Sequence, residues 1–208
     1  MGAEPGELIA ARLAELSPSA RRPRRADARR NYDRLLDVAR EAIAEHGADA
    51  SLDDIARKAG VGSATLYRHF PTRASLLEAV FYEHVERLYQ QSQALLESST
   101  PSAALAEWMR AILLHSIRYR GLAASLRAAC GEADSNLSWC HGAMRYAAGN
   151  LLVRAQEAGE IRGDVEISDL LRLVNGLALA NLEYPDGEAS AERMLGFVLD
   201  GFRVTRQV

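Results

Sequence analysis

The chain has 208 residues, 48% of them hydrophobic and 25% charged, with a formal net charge of −3, the proportions of a folded soluble protein. No apolar run reaches the roughly 18 residues of a membrane helix, so no membrane partner is expected, and Glu4, Glu7 and Glu15 interrupt the stretch where a signal peptide would carry its apolar core. Two cysteines, Cys130 and Cys140, cannot make a disulfide framework, and a cytoplasmic protein is expected.

The small net charge hides an asymmetry. Residues 1–73 carry 13 Lys and Arg against 11 Asp and Glu, and the remainder carries 12 against 17. Six of the ten residues in "RRPRRADARR" (21–30) are arginine, a cluster suited to a local polyanion contact or, more simply, to a solvated basic tail. Residues 1–25 read as a flexible arginine-rich extension, within which "GELIAARLAEL" has the spacing of a short amphipathic helix through Leu8, Ile9, Leu13 and Leu16.

From Asp27 the pattern turns helical. Leu35, Val38, Ala39, Ala42 and Ile43 share one face, and Gly47 closes the helix. In "SLDDIARKAG", Ser51 is an N-cap with Asp54 three residues on, and Leu52, Ile55, Ala56 and Ala59 form a buried side. Gly60 ends that helix after about two turns. A second short helix runs from about Ser63 to Phe70, with Leu66 and Phe70 as its apolar members and Pro71 as its stop. Thr72 caps a longer helix to about residue 98, with Leu77, Val80, Phe81, His84, Val85 and Leu88 on one stripe. Five more helices are expected at about 102–119, 121–130, 135–158, 167–183 and 189–206, and no strand pattern competes, which makes the fold class all-α.

Two short helices joined by "AGVG" match a helix-turn-helix. Gly60 permits the reversal because it lacks a Cβ, and Val61 is placed to fill the space between the helices. If Leu66 and Phe70 face inward, then Ser63, Ala64, Thr65, Tyr67, Arg68 and His69 face outward. That set is polar, aromatic and cationic, with no acid in it, and suits a DNA major groove with its flanking phosphates.

The stretch "SLDDIARKAGVGSATLYRHFPTRASLLEAVF" resembles the DNA-binding domain of TetR-type transcriptional repressors. The matching positions are Ile55, Ala56, Ala59, Gly60, Val61, Thr65, Leu66, Tyr67, Phe70 and Arg73, and the likeness covers about residues 27–81. More weakly, "RGLAASLRA" and "AGEIRGDVEISDLLRLVNGL" look like an actinobacterial-type subgroup. Where the family has Ser or Thr as the cap of its recognition helix, this chain has Gly62, a poorer cap, so the helix start is expected to shift by one residue with Ser63 taking over. That leaves open whether Ser63 or Ala64 lies nearest the bases.

The resemblance implies three parts: the extension over 1–25, a helix-turn-helix DNA-binding domain over 26–72, and a helical effector-binding and dimerisation domain over 73–208. It also implies roles. Tyr67 and Thr65 are expected to meet phosphates through their hydroxyls. Ser63, Arg68 and His69 are expected at base edges or nearby phosphates, and Arg68 can take a guanine through its two-pronged donor set, worth about 1–3 kcal/mol of discrimination. Ser51 opens a helix whose N–H groups suit a phosphate. Arg73 is expected to clamp the DNA backbone, and Arg24, Arg25, Arg29 and Arg30 to reach a minor groove or run along phosphates.

The last two helices are apolar nearly all round, as a helix must be if it buries more than one face. In the family such helices pair with their copies in a four-helix bundle, so a homodimer is expected, with Leu173, Leu177, Met194, Val198 and Phe202 at its interface. The middle helices supply candidates for a mostly apolar pocket: Trp108, Met109, Leu113, His115, Tyr119, Trp139, Met144, Tyr146 and Asn150. Plain core packing explains each of them singly. His115, His141 and Cys140 lack metal-ligand spacing, and nothing in the sequence activates either thiol. No phosphate-binding glycine loop, nucleophile elbow or carboxylate constellation is present, so neither a catalytic residue nor a cofactor is expected. The expected function is a non-enzymatic regulator: a homodimeric repressor on a palindromic double-stranded operator, released by an apolar or aromatic small molecule. A DNA-binding regulator without an effector is the alternative.

Overall fold

A computed structural model of the chain describes residues 4–17, 22–119, 121–122, 125–126 and 135–204. Among these residues the structure is all-α, with nine helices: α1 (Pro5–Leu16), α2 (Ala26–His46), α3 (Leu52–Lys58), α4 (Ser63–His69), α5 (Arg73–Leu95), α6 (Pro101–Arg118), α7 (Ser135–Glu157), α8 (Ile167–Ala180) and α9 (Gly187–Gly201). No helix among them is long and apolar enough to cross a membrane. The helix expected over 121–130 falls mostly outside the described residues, and Cys130 and Arg21 fall outside them entirely.

The described residues belong to two compact units. One is drawn from Met1–Glu86 and Arg118–Cys140, the other from Arg87–Ile117 and His141–Val208. In the first, α2 buries Tyr32, Leu35, Leu36, Ala39, Ala42 and Ile43. Ile55 and Ala56 of α3, Leu66 of α4 and Leu76, Leu77 and Val80 of α5 complete that core. On α2 these residues fall at spacings of three or four or side by side, the pattern of one buried stripe.

Two borders differ from the sequence expectation. The extension over 1–25 is not uniformly loose: α1 forms there, and Leu13 and Leu16 are buried while Leu8 stays exposed. Its amphipathic spacing therefore finds a partner surface, and Arg12 donates to the Asn136 side chain at 3.0 Å. The last helix, expected to reach residue 206, stops at Gly201. The Phe202 carbonyl accepts the Arg162 N–H at 3.0 Å, and Arg203 forms an isolated bridge with Ile161, so tertiary pairing replaces the next helical turn.

In the second unit Trp108, Met109 and Leu113 are fully buried, and the Trp108 indole donates to the Leu88 carbonyl at 2.9 Å. The Glu160 carboxylate accepts the Ser102 N–H at 2.8 Å and so caps α6. Gln156 donates to the carbonyls of Arg162 and Val165, at 2.9 and 3.0 Å, and braces the turn into α8. The turn between α8 and α9 is tight: a Cβ on Gly187 would sit 2.0 Å from the Asn181 carbonyl oxygen.

Gly60 holds the turn between α3 and α4 at φ +67, a left-handed conformation that costs an ordinary residue about 1–2 kcal/mol. Gly60→Ala is therefore expected to lower the unfolding free energy by about that amount in urea titrations. Gly62→Ser, at φ −74 and with nothing within 4 Å of where its Cβ would stand, is expected to raise it by a few tenths of a kcal/mol by restoring a capping hydroxyl.

Candidate nucleic-acid interface

A seven-residue helix is too short to persist alone, so α4 depends on what it packs against. Leu66 and Phe70 are 1% and 2% exposed. Phe70 stacks on Tyr32 of α2, with ring centroids 4.9 Å apart and planes at 29°, an arrangement worth about 0.5–1.5 kcal/mol beyond the area it buries. With that edge inside, the opposite edge is presented: Tyr67 is 47% exposed, and Ser63, Ala64 and Arg68 are exposed beside it.

The start of α4 does not shift. Gly62 is the N-cap, without a side-chain capping bond, and Ser63 is the first helical residue. The Ser63 hydroxyl is not capping at all; it donates to Asp53 Oδ1 of α3 at 2.8 Å. Thr65 and His69 are only partly exposed. Thr65 Oγ1 accepts from Arg68 at 3.0 Å, which steadies the guanidinium. His69 sets its edge against Tyr32, with ring centroids 5.8 Å apart. Burial, and then the Arg68 charge, lower its pKa below the ordinary value, so at neutral pH it is a neutral ring.

Ser51 caps α3 as expected, its hydroxyl accepting the Asp54 N–H at 3.3 Å. Asp54 also pairs with Arg57 at 2.5 Å, and that guanidinium lowers its pKa. Thr72 and Ser75 cap α5 reciprocally, each side-chain oxygen accepting the other's N–H at 3.1 Å. Arg73 has a role inside the fold that its sequence position does not reveal: one guanidinium nitrogen donates to the carbonyls of Ala48 and Ala50, at 3.0 and 2.7 Å. These carbonyls belong to the turn between α2 and α3, so Arg73 ties α5 to the segment that aims α3.

Arg24, Arg25, Arg29 and Arg30 are exposed, and Arg30 pairs with Asp27. Arg22 pairs with Asp33 at 2.8 Å. Pro23, Arg68 and His69 line one cleft of about 370 Å³, which sets the arginine segment beside the C-terminal end of α4. Tyr32 and Asp53 were not singled out by sequence reasoning. Tyr32 lies three residues before Leu35 on the buried stripe, a signal that was available. Asp53 carried none, because its partner is ten residues away on another helix.

The pocket candidates divide between the units. Tyr119 and Trp139 belong to the first, where Tyr119 lies against His84 with ring centroids 5.0 Å apart. In the second, Met144, Tyr146 and Asn150 are partly buried, while burial and then the Arg87 charge hold the pKa of His115 down at about 4. Cys140 is buried. Among the described residues no group of three or more His, Cys, Asp and Glu gathers to hold a metal. On α8 and α9, Leu173 and Met194 are each 39% exposed, Leu179 70% and Phe197 69%. Leu177, Val198 and Phe202 are partly buried. Asp169, Arg172, Leu173, Gly176 and Leu177 line a surface groove of about 470 Å³.

Comparison with known proteins agrees with this geometry. Residues 35–80 match the family described as bacterial regulatory proteins, tetR family, and residues 100–204 match the C-terminal domain of SbtR-like transcriptional regulators. The TetR transcriptional regulator SCO0520 of Streptomyces coelicolor has a similar crystal structure, with 39% identity, a TM-score of 0.70, and coverage of 83% of this chain and 98% of that one. The transcriptional repressor KstR2 of Rhodococcus jostii is 25% identical over 185 residues, 80% of this chain and 88% of its own length. The regulator SAR0097 of Staphylococcus aureus is 34% identical over 82 residues, 38% of this chain, and the match spans only 42% of that relative's length.

Because Arg73 braces the turn before α3, Arg73→Ala is expected to destabilise the protein by about 1–2 kcal/mol in the absence of DNA. Urea denaturation measures this, and a residue serving only as a phosphate contact would leave the midpoint unchanged.

Proposed function

The chain belongs to the TetR family of bacterial transcriptional regulators, and from that premise we propose that it acts as a homodimeric repressor on a palindromic operator, released when a small molecule occupies its second unit. The observation that carries the reading is the two-sided α4. One edge is locked into the core by Leu66 and Phe70, and the other offers Ser63, Ala64, Tyr67 and Arg68 to solvent. A short helix so held is what a major groove accepts. The relatives compared above are regulators, not enzymes, and the description of the Rhodococcus jostii relative as a repressor supports the direction of control.

Within this reading, residues 26–72 read DNA and residues 73–208 sense effector and dimerise. Tyr67 and Thr65 serve phosphates. Arg68, steadied by Thr65, serves a base edge or a nearby phosphate, and His69 does so as a neutral ring. Ser51 and Arg73 serve the phosphate backbone of the duplex, and Arg24, Arg25, Arg29 and Arg30 extend the cationic surface.

One helix-turn-helix reads few base pairs, so specific binding calls for two, spaced by about 34–36 Å, one turn of DNA. The exposed apolar residues of α8 and α9 fit a second copy. Leu173, Leu179, Met194 and Phe197 are exposed and Leu177 and Val198 partly so, the kind of apolar residues that a partner surface covers, with Phe202 following the last turn. The groove over Gly176 has room for a partner's side chain. For the effector, the candidates in the second unit are Trp108, Met109, Leu113, His115, Met144, Tyr146 and Asn150. They are mostly apolar with few polar groups, as pockets for apolar or aromatic molecules are. A ligand that binds better to one spacing of the paired heads than to the other shifts the population between them and so releases DNA.

Mobility-shift titration on sequences selected from random DNA tests the DNA reading. The full-length protein is expected to enrich a palindrome, and Tyr67→Phe is expected to weaken every site alike while leaving the dependence on salt unchanged, because no charge is removed. Failure to enrich any sequence sinks the proposal. Light scattering tests the dimer: twice the 22.7 kDa chain mass is expected, with Phe197→Glu and Leu179→Glu together giving the monomer and losing the palindrome.

A further inference from the structure

Ser63 and Asp53 present one feature that goes beyond DNA binding in general. Ser63 is the first residue of α4, and the first residues of a recognition helix are those that meet base edges. Its hydroxyl lies 2.8 Å from Asp53 Oδ1 and donates to it. A serine hydroxyl has a single proton. Once that proton is committed to Asp53, Ser63 Oγ has only lone pairs left to offer. The Asp53 carboxylate has only acceptors. Both side chains are exposed, and the cap residue, Gly62, has no side chain to cover the pair. The two residues together form a patch of acceptors at the tip of the helix.

The four bases answer such a patch differently. In the major groove guanine shows two acceptors, thymine an acceptor and a methyl group, adenine an acceptor beside a donor, and cytosine its N4 donor. Facing acceptors, guanine and thymine set lone pair against lone pair. Adenine offers N6–H but brings N7 with it. Cytosine alone meets the patch with a donor and no acceptor of its own. The carboxylate also repels phosphates, so it lowers general affinity for DNA; its effect is to reject wrong bases.

Resting on the DNA-binding reading above, we propose that the Asp53–Ser63 pair determines specificity by selecting cytosine at one position of each operator half-site. The pair bridges α3 and α4, so α3 contributes to sequence choice as well as to orientation.

Selection from a random DNA pool tests this with the full-length wild type, Asp53→Asn and Asp53→Ala, each verified as folded by circular dichroism. Wild type is expected to enrich cytosine at one mirrored position, and changing that cytosine to guanine is expected to lower its affinity roughly ten- to a hundredfold. Asp53→Asn, which offers a donor and an acceptor, is expected to move that position toward adenine and leave the others as they were. Asp53→Ala is expected to shrink the guanine penalty to about threefold or less and to bind unrelated DNA more tightly, because a negative charge is gone. If wild type enriches a palindrome but both variants enrich the same bases at every position, the pair does not read and this inference falls while the DNA-binding reading stands. If wild type enriches nothing, both fall together.

Discussion

The stack of Phe70 on Tyr32 is the contact on which the exposed edge of α4 rests. Helix α4 has seven residues and no side-chain N-cap, well below the length at which a helix holds itself together in water. It exists because Leu66 and Phe70 are drawn into the core beneath α2, and its rotation about its own axis is set by those two residues being four apart. Once they are inside, Tyr67, Arg68 and Ser63 have nowhere to go but out. The His69 ring lies partly buried against Tyr32, and burial and then the Arg68 charge lower its pKa, so the cationic character of this surface falls mainly to Arg68 and to the arginines ahead of α2.

Around that stack a set of backbone devices fixes the angle between α3 and α4. Gly60 takes the left-handed turn, Ser51 caps α3, Thr72 and Ser75 cap α5, and Arg73 reaches back to the carbonyls of Ala48 and Ala50. Several side chains with the chemistry to touch DNA are thus already engaged within the fold. Ser63 bonds to Asp53, Thr65 to Arg68, and Arg73 to the turn. Groups held in place before a partner arrives lose less entropy on binding, and their existing bonds decide which donors and acceptors remain to be read.

The second unit follows a different rule. Trp108, Met109 and Leu113 are fully buried in it, and its turns are closed by Glu160 at α6 and Gln156 before α8. Yet α8 and α9 leave Leu179 and Phe197 in solvent, opposite the faces that bury Leu170, Val174 and Leu195. On these two helices one apolar face is buried and part of the other is left to water.

The helical pattern, the helix-turn-helix and the inward direction of Leu66 and Phe70 were legible from the sequence, because all three depend on spacing of three and four residues along one chain. Capping at Ser51 and Thr72 and the turn at Gly60 were legible for the same reason: a cap or a turn is completed within four residues. The burial of the Leu13 and Leu16 face of α1 and the early end of α9 were not, since each depends on a surface or strand-like pairing distant in sequence. The double bond of Arg73 to Ala48 and Ala50, and the commitment of the Ser63 proton to Asp53, were beyond reach as well. A hydrogen bond between residues ten or twenty-five apart leaves no periodic trace, and it exists only once two helices have been packed at a particular angle. The sequence by itself determined which helices form and which edge of α4 faces out; the tertiary structure decided which atoms on that edge are still available, because hydrogen bonds across helices depend on where packing has put them.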